Sequence, residues 1–310
     1  MQIICTGATG LVGYNFVMAA VKRGHNVLAL SETFDFPQTK GVESLKADLA
    51  DKGKIERVVL DRFPDAIVNC AAISSPAVVD KNAELAHKIN VELPERLAQL
   101  ANHISARIIH LSSDMVFDGA KAPYKNTDMP FPDTLYGTTK LMAEKAVLKH
   151  AAPLSVVLRI SHVCGMGLKQ NRSFNEKLFI AMKDGKKLRL AGNDVKCFEP
   201  ASRVGELIVE LLERPNISGI HHYCGLDALS RYAAAAEICR HFSLEPEKFL
   251  VREDLPEAKN LALDMSGLAS RIKTPAVPFS ETLLEMRVPD SCLEWYERET
   301  GLKQIKRYKL

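Results

Sequence analysis

Five short apolar runs alternate with segments of helical period over the first half of this 310-residue chain, and that alternation constrains the fold more than any other feature. The runs are "QIICT", "NVLALS", "DAIVNCAA", "ARIIHLSS" and "LSVVLRIS". Between them lie "LVGYNFVMAAVKRG", which closes on Gly24, then "DKGKIERVVLDRF", "ELAHKINVELPERLAQLANH" and "TLYGTTKLMAEKAVLKHA". Pro94 marks a kink or break in the third of these, because proline has no N–H for a helix. Thr134 is placed to cap the fourth. Strands that are apolar throughout, not alternately, belong to a parallel sheet covered on both faces. Strand–helix alternation then predicts a doubly wound α/β fold.

The second half is less regular. "SFNEKLFIAMKDGK", "SRVGELIVELLER" and "SRYAAAAEICRHF" read as helices, the last starting at Ser230, and "KLRLAG" and "GIHHYCG" as strands. From about residue 243 prolines become frequent (246, 256, 275, 278 and 289). We expect a dinucleotide-binding domain over 1–160, with returning segments at about 187–225. A smaller C-terminal substrate lobe is expected from 161–186 and 226–310, closing over the carboxyl ends of the strands.

Composition excludes several classes. Hydrophobic residues make up 46% and charged residues 25%, the balance of an ordinary globular chain. A net charge of +3 is too small to imply a nucleic-acid partner, and the basic end "KQIKRYKL" reads as solvated. No apolar stretch approaches the roughly 18 residues of a membrane span. With no signal peptide visible before "MQIICTGATG", a cytoplasmic protein is expected. The seven cysteines are scattered singly, at 5, 70, 164, 197, 224, 239 and 292, and read as buried reduced thiols, not as a disulfide frame or zinc site. His221 and His222 are adjacent on a strand and point to opposite faces, so they are read as structural, and no metal is expected. Trp295 and Tyr296 are read as packing residues.

"TGATGLVG" follows the first strand and opens the first helix, placing Gly7, Gly10 and Gly13 in a G-x-x-G-x-x-G spacing. Such a turn lets the backbone approach a pyrophosphate, whose charge suits a helix N-terminus. Gly7, Thr9, Gly10, Leu11 and Val12 are therefore candidate dinucleotide contacts in a Rossmann-like sheet. An acidic residue ordinarily ends the second strand and holds the ribose. Here Ser31 occupies that place, with Glu32 next, which leaves room for a 2′-phosphate; NADP is expected, with NAD as the alternative. Asp48 and Leu49 are placed to border the adenine, Asp48 being equally readable as a helix cap.

"LYGTTKLMAEK" puts Tyr136 and Lys140 four residues apart, one above the other on a helix. The fourth run ends "HLSSDMVFDG", bringing Ser112 and Ser113 to the same edge of the sheet as the glycine loop. Reduction of a ketone by hydride needs a proton at the developing alkoxide, and a free phenol with a pKa of about 10 is slow to supply it. A nearby ammonium would lower that pKa. Lys140 would also bind the nicotinamide ribose, and Ser113 the carbonyl oxygen.

The glycine loop, "NCAA", the serine strand and Tyr-x-x-x-Lys, in that order over about residues 1–225, resemble the extended short-chain dehydrogenase/reductase family. "SSDMVFDG", "LYGTTKLMAEK" and "LRISHVCG" are most similar to its dTDP-4-dehydrorhamnose reductases, which reduce the 4-keto group of a nucleotide-linked deoxyhexose. The resemblance implies Ser113, Tyr136 and Lys140 as the catalytic trio, Asn69, Ala71 and Ala72 along the cofactor, and Asn90 as the helix asparagine that shapes the site. It implies substrate contacts at Asp114, at Met115 (a tyrosine in the reductases) and at His162 (a tryptophan). "FEPASRV" resembles the sugar-lobe loop, so Pro200 and Arg203 are further candidates, Arg203 being equally readable as a surface charge. A homodimer through the helices at 82–102 and 134–150, as in the family, is one possibility.

Two other readings stay open. Epimerases and dehydratases share the fold, but dehydratases tend to carry Asp-Glu where Asp114 and Met115 stand, and epimerases usually keep the acidic ribose anchor. A regulatory subunit of S-adenosylmethionine synthetase also resembles this chain in its "TGATGLxG" loop; it binds a cofactor and a partner enzyme and modulates that enzyme.

Overall fold

The apolar runs become strands buried along nearly their whole length, as expected where helices cover both faces. The computed structural model describes residues 1–168 and 173–303, so residues 304–310 of the basic end lie outside the described part. In chain order the strands relevant to the site are β1 (Gln2–Thr6), β2 (Asn26–Ser31), β3 (Val42–Lys46), β4 (Ala66–Asn69), β5 (Arg107–Ser113), β6 (Ser155–Ile160), β7 (His162–Cys164), β8 (Leu188–Ala191), β9 (Asp194–Pro200) and β10 (Gly219–Tyr223). Seven of them form one parallel sheet in the order β10-β6-β5-β4-β1-β2-β3. The chain runs outward from β1 through β2 and β3, then returns to β4 on the other side. The topological switch therefore lies between β1 and β4, and sheets of this kind hold their ligands beyond the carboxyl ends at such a point.

Helices α1 (Leu11–Lys22), α2 (Lys52–Arg62), α3 (Pro76–Lys81), α4 (Ala83–His87), α5 (Leu93–His103), α6 (Leu135–Ala151), α7 (Phe174–Lys183), α8 (Ala201–Leu212) and α9 (Arg231–His241) complete the frame. α1 and α8 cover one face of the sheet, burying Phe16, Val17, Leu207 and Leu211 against it. α2, α5 and α6 cover the other with Ile55, Leu97, Ala101 and Val147. A separate apolar cluster joins α7, α9 and the C-terminal helix Leu293–Thr300. Trp295 meets Phe249 edge-on there at 5.8 Å, and Tyr296 meets Phe242 at 6.3 Å; both are packing residues.

Four elements differ from the sequence reading. β3, "VESLK", is an edge strand with one neighbour and partly exposed side chains, so it lacks the continuous apolar run of its neighbours. "HVC" and "DVKCFEP" are strands β7 and β9, which pair in parallel outside the main sheet, with His162 opposite Phe198 and Val163 opposite Glu199. Between α4 and α5 the helix widens into a π turn at Lys88–Glu92, directly before Pro94. Pro94 has no N–H for the carbonyl four residues back, and the wider turn accommodates the loss. Asn90 on that turn points inward, where its side chain bonds both backbone groups of Ile73 and the Thr139 hydroxyl.

Thr134 caps α6 as expected, its Oγ1 accepting from the Gly137 amide at 3.0 Å. Replacing this cap, Thr134→Ala, should cost about 1 kcal/mol, read as a lowered urea midpoint at unchanged slope.

Glu199 on β9 is almost fully buried, and neither carboxyl oxygen has a hydrogen bond of good geometry. Burial pushes its carboxyl well above the usual range; Cys197 and Asp114 add to this, and the Ser161 backbone opposes it. A carboxyl raised on folding is protonated in the native chain and ionised when unfolded, so each step in pH above about 4.5 favours unfolding until the native group itself ionises. Urea midpoints of the wild type should therefore fall from mildly acidic to mildly alkaline pH, and Glu199→Gln should flatten that fall. Parallel pH dependence in the two proteins would show that Glu199 is not its source.

Candidate active site

β1 ends at Thr6, and the chain turns at once through Gly7, Thr9 and Gly10 into α1. Gly7 has φ +67°, and a Cβ on it would stand 2.7 Å from the Ala71 backbone; one on Gly13 would stand 2.2 Å from the Gly7 carbonyl oxygen. These two glycines close the turn against β4 and against itself. Gly10 differs. A Cβ there would meet only the Gly7 oxygen, at 3.2 Å, so its outer side is open. Gly10 is also the N-cap of α1 and supplies no side-chain acceptor, which leaves the first amides of α1 to whatever lies outside. Leu11 and Val12, on the first turn of α1, are half-buried, as is Thr9. An open, uncapped N-terminus behind a tight glycine turn fits a pyrophosphate.

Around this cradle several expected contacts are engaged elsewhere. Ser31 is buried, and its hydroxyl donates to the Phe34 carbonyl. Asp48 accepts from the Ala50 amide at 2.8 Å, and Asp51, not Asp48, caps α2. Leu49 is buried among α2, α5 and the sheet. Ala71 is buried and Ala72 exposed at the mouth of the turn after β4. Asn69 is turned inward: its Oδ1 accepts from the Thr6 hydroxyl at 2.6 Å and the Ala71 amide at 3.3 Å, and its Nδ2 lies 3.0 Å from Nδ1 of His110.

Ser113 ends β5, and Tyr136 and Lys140 stand one turn apart on α6, which packs on that strand. All three are buried, with 8%, 7% and 2% of their surface exposed. The Ser113 hydroxyl is placed to hydrogen-bond the Tyr136 phenol, a placement that the end of β5 and the capped first turn of α6 bring about. Burial raises the Tyr136 phenol to about 12; the Ser113 hydroxyl pulls it down and the charge of Asp114 pushes it up. The ammonium expected to lower it is directed elsewhere. Lys140 Nζ donates to the Leu111 carbonyl at 2.5 Å and lies 3.4 Å from His110 Nε2. Burial brings Lys140 down to about 8, while Glu144 and Cys70 raise it.

Next to the trio, Asp114 forms a buried ion pair with Lys196 of β9 at 2.9 Å, accepts from the Ser161 hydroxyl at 2.8 Å, and lies 3.1 Å from the Ser113 hydroxyl. Met115 follows, half-buried, its amide on the Ser113 oxygen at 3.2 Å and its carbonyl pressed on Gly137. His162 packs between Phe174 and Phe198 at 5.2 and 5.1 Å. Burial lowers it to about 3, with the charges of Lys196 and Arg231 adding, so it is a neutral side chain near neutral pH. Pro200 begins α8, and Arg203 pairs with Glu206 and Glu285, away from the trio. His222 bonds the Tyr124 carbonyl and Arg159, and His221 the Ser218 carbonyl, each as part of the packing.

Sequence reasoning missed His110 and Lys196. A lone imidazole in the apolar run "RIIHLSS" was the available signal for the first; Lys196 had none, because β9 was not read as a strand. A surface depression of about 840 Å³ between α1 and α8, lined by Met18, Lys22, His25 and Glu206, contains none of the trio. Chemistry, not volume, places the site. Among the described residues no group of three or more His, Cys, Asp or Glu is arranged to hold a metal ion, and no helix is long and apolar enough to cross a membrane.

Comparison with known proteins places the fold and the family. The methionine adenosyltransferase 2 subunit beta of Xenopus laevis is 31% identical over 248 residues, 78% of this chain and 72% of that protein. A dTDP-4-dehydrorhamnose reductase of Mycobacterium tuberculosis is 32% identical over 167 residues, 52% of this chain and 50% of that protein. The crystal structure of the Bacillus anthracis dTDP-4-dehydrorhamnose reductase in complex with NADP superposes with a TM-score of 0.78 at 18% identity, covering 91% of this chain and 97% of that one, and so shares its fold. The model of the RmlD substrate binding domain matches residues 1–283, and the chain belongs to that family.

Proposed function

We propose that this chain is an NADPH-dependent reductase acting on the keto group of a nucleotide-linked deoxysugar. One observation carries the reading: the Ser113 hydroxyl and the buried Tyr136 phenol stand side by side at the sheet edge onto which the open, uncapped N-terminus of α1 also faces. Bound NADPH supplies the hydride. The α1 amides behind Gly10 hold its pyrophosphate, and Ser31, which carries no charge to repel a 2′-phosphate, favours NADP over NAD. Ser113 donates a hydrogen bond to the substrate carbonyl oxygen and holds it beside the phenol. Tyr136 delivers the proton to the developing alkoxide, a step that needs the neutral phenol, the form that burial favours. Asp114 and Met115 shape the floor beneath the sugar, and the segments 161–186 and 226–310, with His162 on their inner side, form the lobe over it.

A second reading has its own support. Relatives at about 30% identity, covering 86% of this chain in the Bos taurus protein, are named as a subunit of methionine adenosyltransferase. A chain of that kind would bind the dinucleotide and a partner enzyme without turnover. The intact Ser113, Tyr136 and Lys140 set favours catalysis.

The test is NADPH consumption on a panel of keto-deoxysugar nucleotides, alongside capture of an added methionine adenosyltransferase. Tyr136→Phe should fold, bind NADPH within about twofold of the wild type and lose roughly a hundredfold or more of kcat. Retained turnover in that variant removes Tyr136 from its role. Absence of turnover on every substrate, with tight capture of the synthetase, replaces the first reading by the second.

A further inference from the structure

Thr6, Asn69 and His110 are register neighbours on three adjacent central strands, Thr6 opposite Asn69 and Asn69 opposite His110. Their side chains form one hydrogen-bonded row that ends at Lys140. The direction of each bond follows from chemistry. The Ala71 amide can only donate, so the Asn69 atom it meets is the carbonyl oxygen. Asn69 Nδ2 therefore faces His110 Nδ1 as a donor, and Nδ1 accepts. A neutral imidazole that accepts at Nδ1 carries its proton on Nε2. That N–H points at Lys140 Nζ. An ammonium there would set donor against donor. A neutral amine resolves the conflict, accepting from Nε2–H while one of its own N–H groups serves the Leu111 carbonyl.

We propose that His110, oriented by Asn69, is a positioning residue that stabilises Lys140 as a neutral amine, making Lys140 a proton-exchanging group and not a permanent cation. The groups that face Lys140 are His110 and the Leu111 carbonyl of β5, Cys70 after β4, and Glu144 on its own helix. Glu144 is held by Arg159 at 2.7 Å and by the Ser112 hydroxyl, so its charge is already spent on a neighbour. Burial, with the charge of Lys140 second, keeps His110 well below its ordinary value and hence neutral. In turnover, a neutral Lys140 leaves no permanent cation to draw the Tyr136 phenol toward its phenolate, so the phenol keeps its proton for the alkoxide. This part rests on the reductase reading; the protonation state of Lys140 does not.

The titration of Lys140 can be read directly by NMR of full-length protein carrying carbon-13 at the lysine ε position, with Lys140→Arg used to assign the signal. The wild-type midpoint should lie near 8. His110→Leu removes the opposed N–H and should raise it by about one unit, a tenfold change in acidity. Asn69→Leu, which frees the imidazole to turn its proton, should raise it as well. His110→Gln, whose amide can accept from Asn69 and donate to Lys140, should keep it near the wild-type value. A folded His110→Leu protein with an unmoved midpoint overturns the proposal. If that variant does not fold, an unmoved midpoint in Asn69→Leu overturns it. Absence of turnover in the wild type with the titration shifts intact would remove the reductase reading alone; turnover with unmoved midpoints would remove this one alone.

Discussion

The site depends on the register of three parallel strands. Because Thr6, Asn69 and His110 fall opposite one another, a line of polar atoms crosses the middle of the sheet between its two apolar faces. Buried polar groups are tolerated only when their bonds are made, and this line is closed from the Thr6 hydroxyl to the Leu111 carbonyl. A slip of one residue in either pairing would turn Asn69 or His110 to the opposite face and leave its neighbours unpaired. The same register brings β1 and β4 to end opposite His110, while β5 runs on to Ser113, so that the glycine turn, the alanines after Asn69 and Ser113 lie along one edge of the sheet.

A second clamp fixes the end of β5 to the outer strands. Asp114 is bound by Lys196 from β9 and by Ser161 from the segment linking β6 to β7. Removing charge from water is costly, so a buried ion pair of this kind is weak evidence for stability but strong evidence for position: losing one partner strands the other, a cost of about 3–5 kcal/mol. Its geometric effect is on Ser113, the residue before Asp114, whose hydroxyl lies between the carboxylate and the phenol. The edge-on and tilted aromatic cluster of Phe174, His162 and Phe198 continues the same wall.

Much of this was legible in the sequence because it rests on local rules. Continuous apolar runs identify strands buried on both faces, glycines at the strand–helix junction identify the turn, and Thr134 identifies the start of α6. The edge strand β3 was not legible, because a strand with one neighbour need not be apolar. Tyr136 and Lys140 share a helix face, but i to i+4 spacing gives proximity of Cβ atoms and not the direction of a long side chain. Lys140 bends toward the Leu111 carbonyl, and burial then sets the Tyr136 phenol above, not below, its ordinary value. Lys196 was invisible, since its meaning comes from an ion pair between residues 82 positions apart.

The raised phenol and the lowered amine are two results of one cause. Excluding water penalises every charged form, so a tyrosine is driven toward the phenol and a lysine toward the amine. The two pKa values, ordinarily about half a unit apart, move apart to about 12 and about 8, and only that of the lysine comes closer to neutral pH. A site so arranged keeps its proton donor loaded and places the readily titrated group one helical turn behind it. A permanent cation beside the phenol would instead hold the phenolate, which has no proton to give. Reduction needs the loaded acid; oxidation of the alcohol needs the base. On the proposed reading, the burial of this site and the imidazole behind the amine suit the first direction.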